Sequence, residues 1–191
     1  KAELTTTRAV PTVWLLVDGS GSMAAPLSGL TGPSRWSLLR DALMAQDSGL
    51  VARLQGSVAF GLLVYDGELS PPGIPTPLCP RVIAVEPALD NFAMLDLAYP
   101  AAETGASTPT HYALTDLQKR IAAAPSAGPD HPTYVVLATD GKPNLCDFHD
   151  GIPASVLTEQ EAVDTVTSLA ESGTKLFAIS LAGDDLDLQA H

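Results

Sequence analysis

Five consecutive apolar residues, Val13-Trp14-Leu15-Leu16-Val17, run directly into Asp18-Gly19-Ser20-Gly21-Ser22. An uncharged apolar run this short predicts a strand buried on both faces, as in parallel sheets covered by helices. The glycine-rich turn that follows then lies at the strand's carboxyl end, where open α/β sheets place their ligand sites. One carboxylate and two hydroxyls stand there at alternate positions: Asp18, Ser20 and Ser22. All are hard oxygen donors of the kind that suits Mg²⁺, Mn²⁺ or Ca²⁺. The interleaved glycines let the backbone turn tightly enough for three side chains to converge.

Strand and helix signals alternate along the rest of the chain. A first strand is predicted over 12–17, and Ser34 is a suitable N-cap for a helix with Trp36, Leu39 and Leu43 on one face, continuing brokenly to Leu54. A second strand is expected over 58–65. Residues 70–80 hold five prolines in eleven positions and must form a surface loop, since proline cannot join a sheet interior. A short edge strand over 81–85 and a short helix over 91–97 follow. The next helix begins after Thr110, places Leu114, Leu117 and Ile121 on one face, and ends before Pro125. A fourth strand covers 133–139. Thr158-Glu159-Gln160-Glu161 reads as a capping box that opens a helix with Ala162, Val163, Val166, Leu169 and Ala170 inward and Gly173 as its stop. A last strand is expected over 175–181. This alternation predicts an α/β fold with a doubly wound, mostly parallel central sheet flanked by helices.

Two further segments match the first motif. Ser107-Thr108-Pro109-Thr110 precedes a helical pattern, and Val135-Val136-Leu137-Ala138-Thr139-Asp140-Gly141 is a second buried strand ending in an acid and a glycine. Asp-x-Ser-x-Ser, a later Thr, then strand-Thr-Asp-Gly resembles the metal-ion-dependent adhesion site of von Willebrand factor type A domains, a likeness running from about Thr12 to Leu181. The resemblance implies a divalent cation, Mg²⁺ first and Mn²⁺ or Ca²⁺ next, held by Asp18, Ser20, Ser22, Thr108 and Asp140. It implies a doubly wound type A fold over 12–191 lacking the family's last strand and helix, with 1–11 as a linker or stalk remnant. Ser34-Arg35-Trp36, Cys79-Pro80 and Lys142-Pro143-Asn144-Leu145-Cys146 add a likeness to secreted or lipoprotein-type bacterial members.

The composition fits a folded extracellular, cell-surface or periplasmic domain. Apolar residues make up 46% of 191, and no apolar run approaches the ~18 residues that cross a bilayer. The net charge of −12 argues against nucleic acid as a partner, which calls for a basic face. Ten of the acids fall in 140–191 against two bases, which reads as a solvated acidic face or as local potential that draws a cation. Cys79 and Cys146 are the only cysteines, both in polar loop-like settings. An even pair in a chain of secreted character reads as a disulfide. A soft-metal site at Cys146, Asp147 and His149 lacks a matching distant pair of donors.

Three functions compete. The first is a binding module: the cation keeps net positive character, and an open coordination position takes a Glu or Asp of a partner protein or peptide. The second is a silent scaffold, a structural subunit of a surface assembly whose metal does nothing further. The third is a hydrolase in which the metal activates water. That requires a general base, for which His111 and His149 are available, His111 reading first as a surface or packing residue. Ser20 and Ser22 sit in no nucleophile elbow. The chain is therefore expected not to be an enzyme, and to bind protein through its metal.

Overall fold

A computed structural model describes residues 9–27, 31–67, 79–103, 105–124, 131–144 and 154–182, with side chains of the last segment from Glu159 onward. Strands β1 (Thr12–Asp18), β2 (Ala59–Asp66), β3 (Arg81–Ala88), β4 (Thr133–Thr139) and β5 (Lys175–Ser180) form one sheet in the order β3-β2-β1-β4-β5. Only β3, at one edge, runs antiparallel to its neighbour. The expected doubly wound α/β sheet is the observed one.

β1 is central because its residues are apolar on both faces. Alternate side chains point to opposite sides of a strand, so Leu15 and Val17 join Leu62 and Val64 on one face while Trp14 and Leu16 join Leu63 and Tyr65 on the other. Helices α1 (Arg35–Met44), α2 (Leu50–Leu54) and α3 (Phe92–Ala98) cover the first face through Trp36, Leu39, Leu43, Val51 and Leu95. Helices α4 (Thr110–Ala123) and α5 (Ala154–Glu171) cover the second through Ala113, Leu114, Leu117, Ala162 and Leu169. Truncating a fully buried leucine of this kind costs about 2–5 kcal/mol. Ser34 caps α1 as expected, its hydroxyl accepting from the Ser37 N–H.

Register sets the site. Asp18 stands opposite Tyr65 of β2, and Val17 opposite Ala138 of β4, so the three central strands end level and their following loops share one edge. At the β2–β3 edge the chain approaches itself closely. A Cβ on Gly61 would lie 2.8 Å from Pro87 and 3.0 Å from Trp14, so glycine is required there.

Three expectations are corrected. α5 opens at Ala154, four residues before the capping box at Thr158, because Ala154 and Leu157 are strong helix formers with no Gly or Pro between them and Thr158. Val163 and Ala170 are exposed. The buried stripe is Ala162, Thr165 and Leu169 with Val166 beside it, and both outliers are rotated one residue off that stripe. β3 continues through Pro87 to Ala88 rather than ending at Val85; the register shifts between Phe60 and Leu62 and leaves Glu86 and Pro87 out of the ladder, and an edge strand tolerates a proline at such a bulge. At the other edge of the described sheet, Phe177 and Ile179 of β5 are exposed. No helix among the described residues is long and apolar enough to cross a membrane.

Candidate metal centre

Three loops converge at the carboxyl ends of β1, β2 and β4. Asp18 closes β1, and its buried carboxylate accepts from the Ser20 N–H at 2.9 Å and from the Thr139 hydroxyl at 2.6 Å. The first bond folds 18–20 back on itself, as short acidic side chains do in turns. A 3-10 turn over Gly21–Ala24 continues the loop, anchored by the fully buried Met23. These contacts bring the Ser20 and Ser22 hydroxyls within 3.0 Å of each other.

Asp140 arrives from the end of β4. Its Oδ1 accepts from the Ser22 hydroxyl at 2.7 Å and its Oδ2 from Arg35 Nη1 at 2.6 Å. The Asp140 side chain is wholly buried, whereas Arg35 keeps 17% of its exposure.

The third loop carries Thr108. Isolated bridges hold it in place, Ser20 pairing with Gly105 and Gly67 with Ser107. A Cβ on Gly105 would lie 2.2 Å from the Cβ of Asp66, so no other residue permits this approach. Asp66 is itself fixed by a fork of two hydrogen bonds from Arg81, at 2.8 and 2.9 Å. Thr108 exchanges two bonds with Asn144: its N–H donates to Oδ1 at 2.7 Å, and its carbonyl accepts the Asn144 N–H at 2.9 Å. Its hydroxyl lies 3.8 Å from where Gly141 would carry a Cβ, beside the residue that follows Asp140.

The five residues read from the sequence thus share one end of the sheet. Ser20, Ser22 and Asp140 form a continuous chain of contacts. Asp18 joins through the Ser20 backbone and Thr139, and Thr108 joins through Asn144 and Gly141. The set is oxygen-only, with two carboxylates and three hydroxyls, and no group of three or more His, Cys, Asp or Glu that could hold a metal stands among the described residues. That chemistry fits a hard divalent cation. A cation already stands on one carboxylate, the Arg35 guanidinium on Asp140. The other has none among the described residues, and burial pushes the Asp18 carboxyl up to about 6, against the donors Thr139 and Ser20 and with the Asp140 charge adding to the rise. Behind it, burial and then the Asp18 charge push the Tyr65 hydroxyl well above its ordinary value, while it sits 3.0 Å from the Thr110 hydroxyl.

Sequence reasoning did not single out Thr139, Arg35, Tyr65 or Asn144 as site residues. Arg35 had a signal. It is the first residue of α1, where a helix dipole disfavours a cation, so a compensating anion was to be expected nearby. His111 faces α5, with Nδ1 3.3 Å from the Thr165 hydroxyl and Nε2 3.8 Å from a Glu161 carboxylate oxygen. Cys146, Asp147 and His149 lie outside the described residues, and no free cysteine is found among those described. A cleft of about 900 Å³ lined by Trp14, Gln118, His131 and Thr174 opens at the other end of β1 and β4, away from the acidic centre.

No protein-family model matches the chain, and no curated protein matches it. Solved structures do. The pilus adhesin SpaC of Lactobacillus rhamnosus GG is similar at TM-score 0.60 and 16% identity, over 90% of this chain and 24% of that one. The minor pilin PilB of Streptococcus sanguinis is similar at TM-score 0.59 and 16% identity, over 94% and 52%. Proximal thread matrix protein 1 of the mussel byssus gives TM-score 0.55 and 17% identity, over 90% and 38%. None of the three is described as an enzyme. The chain spans from about a quarter to about half of their lengths, and at such identities the likeness is one of fold.

Proposed function

We propose that this chain is a metal-dependent protein-binding module of a cell-surface or extracellular assembly. A divalent cation, Mg²⁺ before Mn²⁺ or Ca²⁺, would be held by Asp18, Ser20, Ser22, Thr108 and Asp140. When bound, it would supply an electrophilic point of attachment for an acidic group. The observation that carries this reading is the gathering of two buried carboxylates and three neutral hydroxyls at the carboxyl ends of β1 and β4. Three donors contribute no charge, so Asp18 and Asp140 at most balance the cation, and the site still favours an added anionic oxygen from a Glu or Asp of a partner. The fold likeness to a pilus adhesin and a minor pilin supports a surface role; in this reading 1–11 is a linker or stalk remnant and 12–191 a type A domain. Of the two general bases a metal-activated hydrolase would draw on, His111 is engaged by Thr165 and Glu161 on α5, which disfavours it in that role. We also infer a Cys79–Cys146 disulfide, supported by the absence of a free thiol at Cys79 and a total of two cysteines in the chain.

The test is calorimetric titration of Mg²⁺ and Mn²⁺ into wild type, Asp18→Ala and Thr108→Ala, followed by acidic-peptide and matrix-protein binding with and without EDTA. Both variants are expected to stay folded, since Asp18 is the last residue of β1 and Thr108 lies in the loop before α4, both outside the apolar clusters of the core. Asp18→Ala should lose cation binding. Partner binding should vanish in EDTA. Cation affinity unchanged in Asp18→Ala would refute the ligand set. Partner binding that survives both EDTA and Thr108→Ala would favour the silent scaffold, the second reading that the minor-pilin likeness supports.

A further inference from the structure

Arg35 is the one cation in direct contact with the acidic centre among the described residues. Its Nη1 donates to Asp140 Oδ2 at 2.6 Å, and its Nη2 reaches the Ala182 carbonyl at 3.4 Å. Its Nε is buried with no partner among those residues. The guanidinium is therefore held by one strong charge-assisted bond rather than by a full shell of acceptors. Its position is costly twice over: it opposes the dipole of α1 at the helix's first residue, and it leaves a buried donor unsatisfied. An arginine kept there only to begin a helix would be replaced to advantage by many residues. The strong link is to a carboxylate of the centre.

We infer that Arg35 is a fixed counter-charge of the metal centre, a positioning residue that acts through Asp140 to trade metal affinity for anion affinity. This rests on the reading of the centre as a cation site. Arg35 cancels one of the two carboxylate charges of Asp18 and Asp140, so a bound dication leaves the centre with one net positive charge instead of none. The cation is then held less tightly, and an incoming carboxylate is attracted more strongly. Without metal, the same guanidinium neutralises Asp140, which would otherwise be a buried charge with no partner of opposite sign. Specificity for an acidic partner thus resides partly in a residue that touches neither partner nor metal.

The test uses the full chain as wild type, Arg35→Gln and Arg35→Lys, with Mn²⁺ alone followed by electron paramagnetic resonance and calorimetry. Arg35→Gln should bind Mn²⁺ about tenfold more tightly, the scale for removing a unit charge next to a dication in a partly solvated site. Arg35→Lys, which keeps the charge, should stay near wild type. At saturating Mn²⁺, binding of an acidic peptide should weaken about tenfold in Arg35→Gln. In EDTA, Arg35→Gln should lower the melting temperature, and the loss should shrink in an Asp140→Asn background. A merely structural arginine would weaken Mn²⁺ binding when removed. Wild type that binds Mn²⁺ while a folded Arg35→Gln binds it equally or less well overturns this inference alone. Wild type that binds no Mn²⁺ overturns the cation-site reading and this inference with it.

Discussion

Asp18→Asn should stabilise the metal-free domain at neutral pH. The Asp18 carboxyl is buried and pushed from 3.8 to about 6, chiefly by desolvation. The folded chain therefore favours the protonated acid. That contribution to stability is full below the unfolded carboxyl's 3.8 and is lost as the pH rises through about 6. A carboxyl moved this far corresponds to about 3 kcal/mol, withheld from the apo domain at pH 7.5. Asparagine removes the charge and can keep the contacts. Its Oδ1 can still accept from Ser20, and its amide can donate to the Thr139 hydroxyl, whose own proton can turn to the Gly141 carbonyl at 3.3 Å. Allowing for weaker bonds to a neutral group, the melting temperature in EDTA should rise by roughly 5–10 °C at pH 7.5. The difference between variant and wild type should shrink as the pH falls to 4.5, where the wild-type acid is itself protonated. Addition of Mg²⁺ should stabilise wild type and leave Asp18→Asn nearly unchanged. Calorimetric or circular-dichroism melts across this pH range decide the matter. A variant no more stable than wild type at pH 7.5, or a gap that does not narrow with acid, would refute the reasoning.

Two further outcomes are expected. Arg81→Met removes the guanidinium that grips the Asp66 carboxylate, which is 3% exposed, through two bonds; urea unfolding should show a loss of about 3–5 kcal/mol, smaller when Asp66→Asn is combined with it. Thiol titration of the denatured, unreduced chain should find no reactive cysteine, and reduction should destabilise the fold by roughly 4 kcal/mol for a 67-residue separation; two thiols per chain would remove the proposed bridge.

Read alone, the sequence was sufficient wherever the physics is local. The apolar runs ending at Asp18 and Asp140 declare buried strands because alternation and composition act over a few residues. The Asp18-Gly19-Ser20-Gly21-Ser22 turn declares clustered oxygens because its donors are already adjacent along the chain. Thr108 and Asp140 joined the set only through resemblance of an ordered motif, since nothing local brings them to Asp18. The start of α5 and the outward turn of Val163 were misread because a capping signal competes with helix propensity upstream, and because two neighbouring apolar stripes differ by a single residue of rotation. The rest belongs to tertiary structure. Thr139 reaches Asp18, and Arg35 reaches Asp140 across 105 residues, only because parallel register ends β1 and β4 level and docks the first turn of α1 above them. His111 turns to α5 because that helix packs beside α4. The raised Asp18 carboxyl is a property of burial, and burial is decided by how sheets and helices pack, which no short stretch of sequence contains.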